Sequence, residues 1–451
     1  MHRDRVATIL VRFLTIASIL PISRAGAEPT AAGAAPITAT AEGGAGALDS
    51  LLGRPSLDLP LLERAVLARN PSLEAMRSAW EASEAGADWA GALDDPTLEA
   101  TTAPRTVGSD RFDTAYMLVL RQSFPLFGER GLKGRAARSM ARAAGEDYRT
   151  VRLDLLRETR NAFAEYYRTA RGREVNRLLT DLISKFRRIA LAKYETGIVS
   201  LSDVLQADVE LAMLDHVRVA LERDHKVVVA RINTLLRRDP LSPVPVAPAD
   251  LPLPFRPMRA DSALSLARAS RPELKRLDEE RRAKSAELSL SRRGRLPEFM
   301  VQARYDRFMT APEWRTQIGA GISIPLQLGR ISATIREARA KLEETDSRSA
   351  AALYEVEYEV ASAAARVEDT HHELEIVENR VVPATEKSLE ATRAAYESNR
   401  TDFLSLLNAE RDLARARLSL YEVRAGYFLA LADLERAIGT PPSAAPKEET
   451  R

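Results

Sequence analysis

The chain has 451 residues, of which 45% are hydrophobic, 29% charged and only 6% aromatic, and it contains no cysteine. Lysine plus arginine total 66 against 64 aspartate plus glutamate, so no global field favours nucleic acid or an acidic substrate as partner. The absence of cysteine excludes disulfides, thiolate metal sites and an N-terminal lipidated cysteine.

In chain order, the first segment joins a basic start, an apolar stretch from Val6 to Leu20 and the small-x-small site Ala25-Gly26-Ala27. Residues 1–27 therefore read as a secretory signal peptide. Arg12 interrupts the apolar stretch, which falls short of the roughly 18 to 20 residues that a membrane-spanning helix needs. Residues 28–55 are rich in Ala, Gly, Thr and Pro and are predicted to be a disordered linker. No later segment is long and apolar enough for a transmembrane helix, so any insertion into lipid must use β-strands.

The body of the chain is one unit written twice, over 56–239 and 260–440. Asn70-Pro71-Ser72-Leu73 recurs as Arg271-Pro272-Glu273-Leu274, and Phe124-Pro125-Leu126 as Ile324-Pro325-Leu326, at nearly the same offset. Tyr194 to Asp208 aligns without a gap on Tyr396 to Glu410. Repeats in one order at one offset mark a duplication. Between the copies, 240–259 carries Pro240, Pro243, Pro245, Pro248, Pro252, Pro254 and Pro257 and reads as an extended connector. Residues 441–451 read as a disordered tail.

Each copy is predicted to run helix, β-hairpin, long helix, turn, return helix. In the first copy Thr97 to Thr102 forms a weak strand, and Tyr116, Leu118, Leu120 and Gln122 alternate with Met117, Val119 and Arg121. In the second copy Phe299, Val301, Ala303 and Tyr305 alternate with Gln302, Arg304 and Asp306, and the face Trp314, Thr316, Ile318, Ala320, Ile322, Ile324 backs on Arg315, Gln317, Gly319, Gly321 and Ser323. Segments of this length and period suit transmembrane strands, with Tyr116, Leu118, Leu120, Phe299, Val301, Tyr305, Trp314, Ile318 and Ile322 facing lipid. The same pattern also fits a soluble sheet packed on a helix. If the strands do span a membrane, four cannot close a barrel, and several chains must share one. Three copies supply twelve strands and an open lumen, whereas the eight of a dimer would be filled by side chains.

The long helices are predicted from Gly131 to about Tyr194, ~95 Å at 1.5 Å per residue, and from Arg330 to Tyr396, ~100 Å, with a kink at Pro383. The last helix sets Leu406, Leu413, Leu420, Tyr427 and Leu434 seven apart, with Ala409, Ala416, Val423, Ala430 and Ala437 three after each. The first copy answers with Ala207, Leu214, Leu221, Val228 and Leu235. This is a heptad seam, with small residues that let helices approach closely. Between the helices, Gly197 is predicted to turn at positive φ, and the matching Asn399 is the next most tolerant residue. Asp203, after Ser200 and Ser202, suits a helix cap.

The duplicated order, with FPLFGERG from Phe124 and the motif Tyr194, Gly197, Ser200, Asp203, Val204, Leu205, Ala207, resembles the TolC-like outer-membrane efflux proteins. FPLFGERG is similar to the heavy-metal-efflux branch. The resemblance implies a mainly α fold with a membrane β-barrel contribution: a homotrimer with a twelve-stranded barrel in outer-membrane lipid and a periplasmic α-barrel. It further implies a periplasmic adaptor and an inner-membrane pump as partners; from charge and motifs, no nucleic acid, no cofactor and no metal is expected. Tyr194, Gly197, Ser202, Asp203, Tyr396, Arg400 and Asp402 would form the periplasmic tip. There Arg400, one residue before the family's arginine position at Thr401, could latch to Asp203. Positions at which some members carry constricting aspartates are Ser405 and Asn408.

No enzymatic constellation is found: no Gly-x-Ser-x-Gly, no phosphate-cradling glycine loop and no paired histidines at helical spacing. His371-His372-Glu373 lacks the second histidine of a zinc motif, and Arg135, Arg138 and Arg142 read as a solvated helix face. The expected function is an outer-membrane channel subunit of a tripartite efflux system, not an enzyme. The alternatives are a periplasmic coiled-coil adaptor or scaffold, and the outer-membrane component of type I protein secretion.

Overall fold

A computed structural model describes residues 41–107, 114–125, 127–197, 199–253, 258–309, 311–398 and 400–440. The expected signal peptide, the linker as far as residue 40, residues 254–257 of the connector, Asn399 and the tail 441–451 lie outside the described residues.

The remainder of the expected linker is not disordered: α1 spans Ala41–Leu52. Leu51 is fully buried and Leu48 packs beside it, against Leu62, Val66 and other residues of the first core cluster. Burying Leu51 contributes about 1.5–3 kcal/mol and Leu48 part of that again, which offsets the ~1 kcal/mol cost of each of the three helical glycines, Gly43, Gly44 and Gly46. Helix α2 (Leu59–Arg69) starts at Asp58, whose carboxylate accepts from the Leu61 N–H, and α3 (Pro71–Trp89) starts at Asn70, whose side chain accepts from Ser72 N–H. Proline occupies the first turn of each, where its missing N–H costs nothing.

Strands β1 (Thr97–Thr102) and β2 (Tyr116–Phe124) lead into α4, an unbroken helix over Glu129–Glu195, which α5 (Leu201–Leu235) retraces. The second copy repeats this with α6 (Ala260–Ser270), α7 (Pro272–Arg293), β3 (Glu298–Asp306) and β4 (Thr316–Ser323). Helix α8 (Leu328–Ile376) continues through a π-helical turn, Val377–Val381, into α9 (Val382–Glu397), and α10 (Phe403–Ile438) returns. Pro383 therefore does not break the helix. The wider π turn just before it takes up the missing N–H and the ring's clash with the preceding carbonyl.

The connector runs extended, as its prolines require, and is tied down: Leu57 N–H donates to Val246, Tyr166 hydroxyl to Pro245 and the Asn233 amide to Pro240 and Ser242 carbonyls. Ala247 and Leu251 are buried in the first core. A second core joins α6, α8 and α10 around Val360, Val367, Tyr427 and Leu434. Of the heptad positions on α10, all but Leu420 are buried. Arg271 stands where the first copy has the Asn70 cap, and it is turned inward instead. Its guanidinium donates to the Arg436 and Ala437 carbonyls at the end of α10 (3.0 and 2.7 Å) and meets Glu359 and Glu273.

Candidate functional site

The four strands form one antiparallel sheet in the order β1-β2-β3-β4. Its register carries the functional meaning. Leu98 lies opposite Leu120, Leu120 opposite Ala303, and Ala303 opposite Ile318. The neighbouring rows set Gln122, Val301 and Ala320 together, then Phe124, Phe299 and Ile322, and at the far end Leu118, Tyr305 and Thr316. Directly opposed residues share a face, so the apolar positions of both hairpins fall on one side. That side is bare: Ile318 is 84% exposed and Leu98 70%, with Leu120, Val301, Ile322 and Phe124 also exposed. Gln122, the polar residue among them, donates its amide to the Asp94 and Ser123 carbonyls.

The other side carries Glu99, Thr101, Arg121, Ser123, Glu298, Gln302, Arg304, Asp306, Gln317 and Ser323. Met117, Val119 and Met300 interrupt it, and Val119 is buried. Gly319 and Gly321 leave room on this side, since a Cβ would lie 3.3 Å from Gln302 Nε2 and 3.0 Å from Met300 Cγ. Both outer edges, of β1 and of β4, lack a strand partner among the described residues. Nine residues at ~3.3 Å each give ~30 Å, or ~23 Å when tilted by ~40°, close to the ~25 Å apolar band of a membrane barrel.

Tyr116 and Tyr305 stand at the end away from α4, ring centroids 5.9 Å apart. Trp314, expected within the fourth strand, lies instead in a 3-10 turn, Pro312–Trp314, because Pro312 cannot join the ladder. It remains 65% exposed at the same end. Aromatic residues in such a place match the girdle of a membrane barrel. Among the described residues no helix is long and apolar enough to cross a membrane.

At the opposite end of the helices, the two turns come together. Gly197 turns at φ 74°, with open space where a Cβ would lie. Ser200 caps α5 by accepting from Ser202 N–H (3.1 Å), and Asp402, its counterpart in the second copy, caps α10 by accepting from Ser405 N–H (2.8 Å). Hydrogen bonds from Ser405 hold the Asp402 carboxyl below its ordinary value. Asp203 is thus not the cap. It sits in the first turn of α5, where a carboxylate still favours the helix dipole. The expected Arg400–Asp203 latch is not formed within the chain: Arg400 Nε donates to Ser398 Oγ (3.0 Å), and among the described residues Asp203 has no side-chain partner.

Tyr396 is placed between the hairpins. Lys193 Nζ stands 4.6 Å from its ring centroid and 3.5 Å from its hydroxyl, and Phe403 packs edge-on at 6.4 Å. Phe403 in turn meets Phe186 of α4 at 6.2 Å. Tyr194 is exposed. The repeat alignment missed Lys193, Phe186 and Phe403, which lie opposite Ala395, Ser388 and Leu201 in the other copy. It also missed two buried carboxylates. Glu210 pairs with Arg411 across the hairpins, and Glu410 with Arg393 at 2.8 Å. Heptad spacing places Glu410 beside the seam, but only packing shows that both carboxylates are enclosed. His371 stacks on Tyr427 at 5.3 Å, and both His371 and His372 approach Glu375.

A sheet with one bare apolar face and two open edges, joined to two helical hairpins that meet at their far turns, positions groups for insertion and passage. Two stretches, residues 62–236 and 263–440, match the model of a family described as outer membrane efflux protein. No curated protein matches the sequence significantly. Solved structures with this fold include the outer membrane protein VceC of Vibrio cholerae, 19% identical, covering 85% of this chain and 96% of that one with a TM-score of 0.70. CusC is 16% identical over 85% of this chain and 92% of that one, TM-score 0.71. The MtrE outer membrane channel of Neisseria gonorrhoeae, in its open state, is 18% identical over 85% and 89%, TM-score 0.68.

Proposed function

The chain belongs to the outer membrane efflux protein family and is an efflux channel protein of the outer membrane with a periplasmic portion, and from that premise we propose that three copies close one twelve-stranded barrel around a shared conduit. In this reading the β4 edge of one copy pairs with the β1 edge of the next, the apolar face meets lipid, and the polar face with Arg121, Gln302 and Gln317 lines the lumen. The observation that carries it is the open sheet, which in lipid would leave two rows of unpaired backbone groups, each costing several kcal/mol. Two chains would give eight strands, whose interior side chains fill. Three leave a water-filled bore.

The helical hairpins extend the conduit into the periplasm, and their turns, from Tyr194 to Asp203 and from Tyr396 to Asp402, form the surface on which a periplasmic adaptor and an inner-membrane pump dock. Lys193, Tyr396 and Phe403 hold the two turns of one chain together, so the tip moves as a pair. The chain supplies a path and not a reaction, and the pump selects the cargo. Purification in detergent with mass determination by light scattering tests the assembly, with a protein mass of three chains expected. A monomer that washes off membranes without detergent would overturn it and leave the periplasmic scaffold. Deletion followed by susceptibility tests against divalent metals and hydrophobic drugs assigns the cargo class. Sensitivity to metals alone is the result expected from FPLFGERG.

A further inference from the structure

Directly beneath the sheet, α4 and α7 flank an open cavity of about 370 Å³ lined by Arg135, Arg138, Arg142 and Arg282, all four exposed, and by the buried Ser139 and Leu132. Its lower end is neutralised: Arg142 and Arg282 both reach Glu279 (2.8 and 2.6 Å), and Arg282 also reaches Asp278. Its upper end is not. Among the described residues Arg135 and Arg138 make no ion pair, so two guanidiniums face the cavity uncompensated.

The direction of these side chains matters. Side chains on a helix lean toward its N-terminus, and the N-terminus of α4 is the end attached to the sheet. Arg138 follows this rule, since its Nη1 comes within 3.3 Å of where a Cβ would stand on Gly134, one turn nearer the sheet. Arg135 begins only six residues into α4, ~9 Å from its start. The headgroup layer extends about 5–8 Å beyond the hydrocarbon on each side of a bilayer, within the reach of an arginine that leans upward.

We propose that this cavity binds a phosphate group at the periplasmic face of the membrane, through Arg135 and Arg138. A planar guanidinium offers paired donors that match phosphate oxygens, which a hydrated ammonium does not. The phosphate can come from an anionic lipid headgroup or from free phosphate. The lipid source rests on the membrane reading above; the free source does not.

The full chain is reconstituted in phosphatidylcholine nanodiscs, and retention of added phosphatidylglycerol is measured by native mass spectrometry. Binding of inorganic phosphate to the detergent-purified protein is followed in parallel by calorimetry. The double variant Arg135→Gln, Arg138→Gln is compared with Arg415→Gln, an exposed arginine on α10. The double variant is expected to weaken binding at least about tenfold, a change of ~1.4 kcal/mol, with Arg415→Gln unchanged. Lipid retention that depends on the two arginines supports a headgroup site, and dependence seen only with inorganic phosphate supports a free-anion site. Binding of neither, or equal binding by the double variant, overturns the proposal. If the wild type fails to insert into nanodiscs, the membrane reading fails, and the calorimetric arm still decides whether the cavity takes phosphate.

Discussion

Replacing Ile318 by arginine puts a charge in the central row of the apolar face, beside Ala303 and in line with Leu120 and Leu98. Ile318 is 84% exposed and contacts little protein, so in water the substitution would cost almost nothing. In lipid it costs about 2–4 kcal/mol near the midplane and falls toward zero at the interface. Ile318 lies in the third of five rows, two alternations inside the level of Tyr116 and two from that of Ile322, so the midplane cost applies: about 30- to 1,000-fold in the insertion equilibrium for each chain. The matched control is Gln317→Arg, one residue away on the polar face. It lies opposite Arg304, but Arg304 is already paired with Asp306, and the repulsion in a watery lumen is under about 1 kcal/mol. Urea unfolding from lipid vesicles, with outer-membrane fractionation in cells, reads the difference. Equal behaviour of the two variants would refute the assignment of faces, and with it the membrane role of the sheet.

Arg271→Met removes the donors that tie the end of α10 to the start of α7 and leaves Glu273 and Glu359 to Arg436 alone; a loss of about 1–3 kcal/mol, from the unpaired Arg436 and Ala437 carbonyls, is expected by chemical unfolding in detergent, with part of it restored in Arg271→Lys. Gly439→Ala should cost more than Gly197→Ala in the same assay. Both glycines have positive φ, but only at Gly439 would the Cβ meet backbone, 2.9 Å from Arg271 Cα. For Asp402, whose carboxyl is held below its ordinary value by Ser405, the cap is present at neutral pH and is lost as pH falls through that lowered value. Hydrogen exchange in the first turn of α10 should therefore rise only in strong acid, and Asp402→Asn should flatten the dependence. Tyr396→Ala should loosen the paired turns and speed proteolysis between 194 and 203, whereas Tyr396→Phe keeps the ring over Lys193 and should remain near wild type.

The plan of the fold is legible along the chain. Period-2 alternation locates all four strands, proline-free runs locate α4 and its return, and the matched segments around Tyr194 and Tyr396 place the two turns, because these patterns depend only on neighbours in sequence. Whatever depends on residues far apart is settled by packing. Only the register of β2 on β3, which joins the two copies, shows that both hairpins turn their apolar residues to one side. Only the folded core gives Leu51 a place to enter, which makes a helix of a segment whose composition reads as disordered. Asn70 and Arg271 occupy matching places in the repeat, yet one caps its own helix and the other reaches into the end of α10. Asp203 has the spacing of a cap, but Ser200 reaches the free N–H first. A duplication fixes the backbone plan twice, while each copy's side chains answer to whatever the fold brings against them, and that contact is not written in either copy alone.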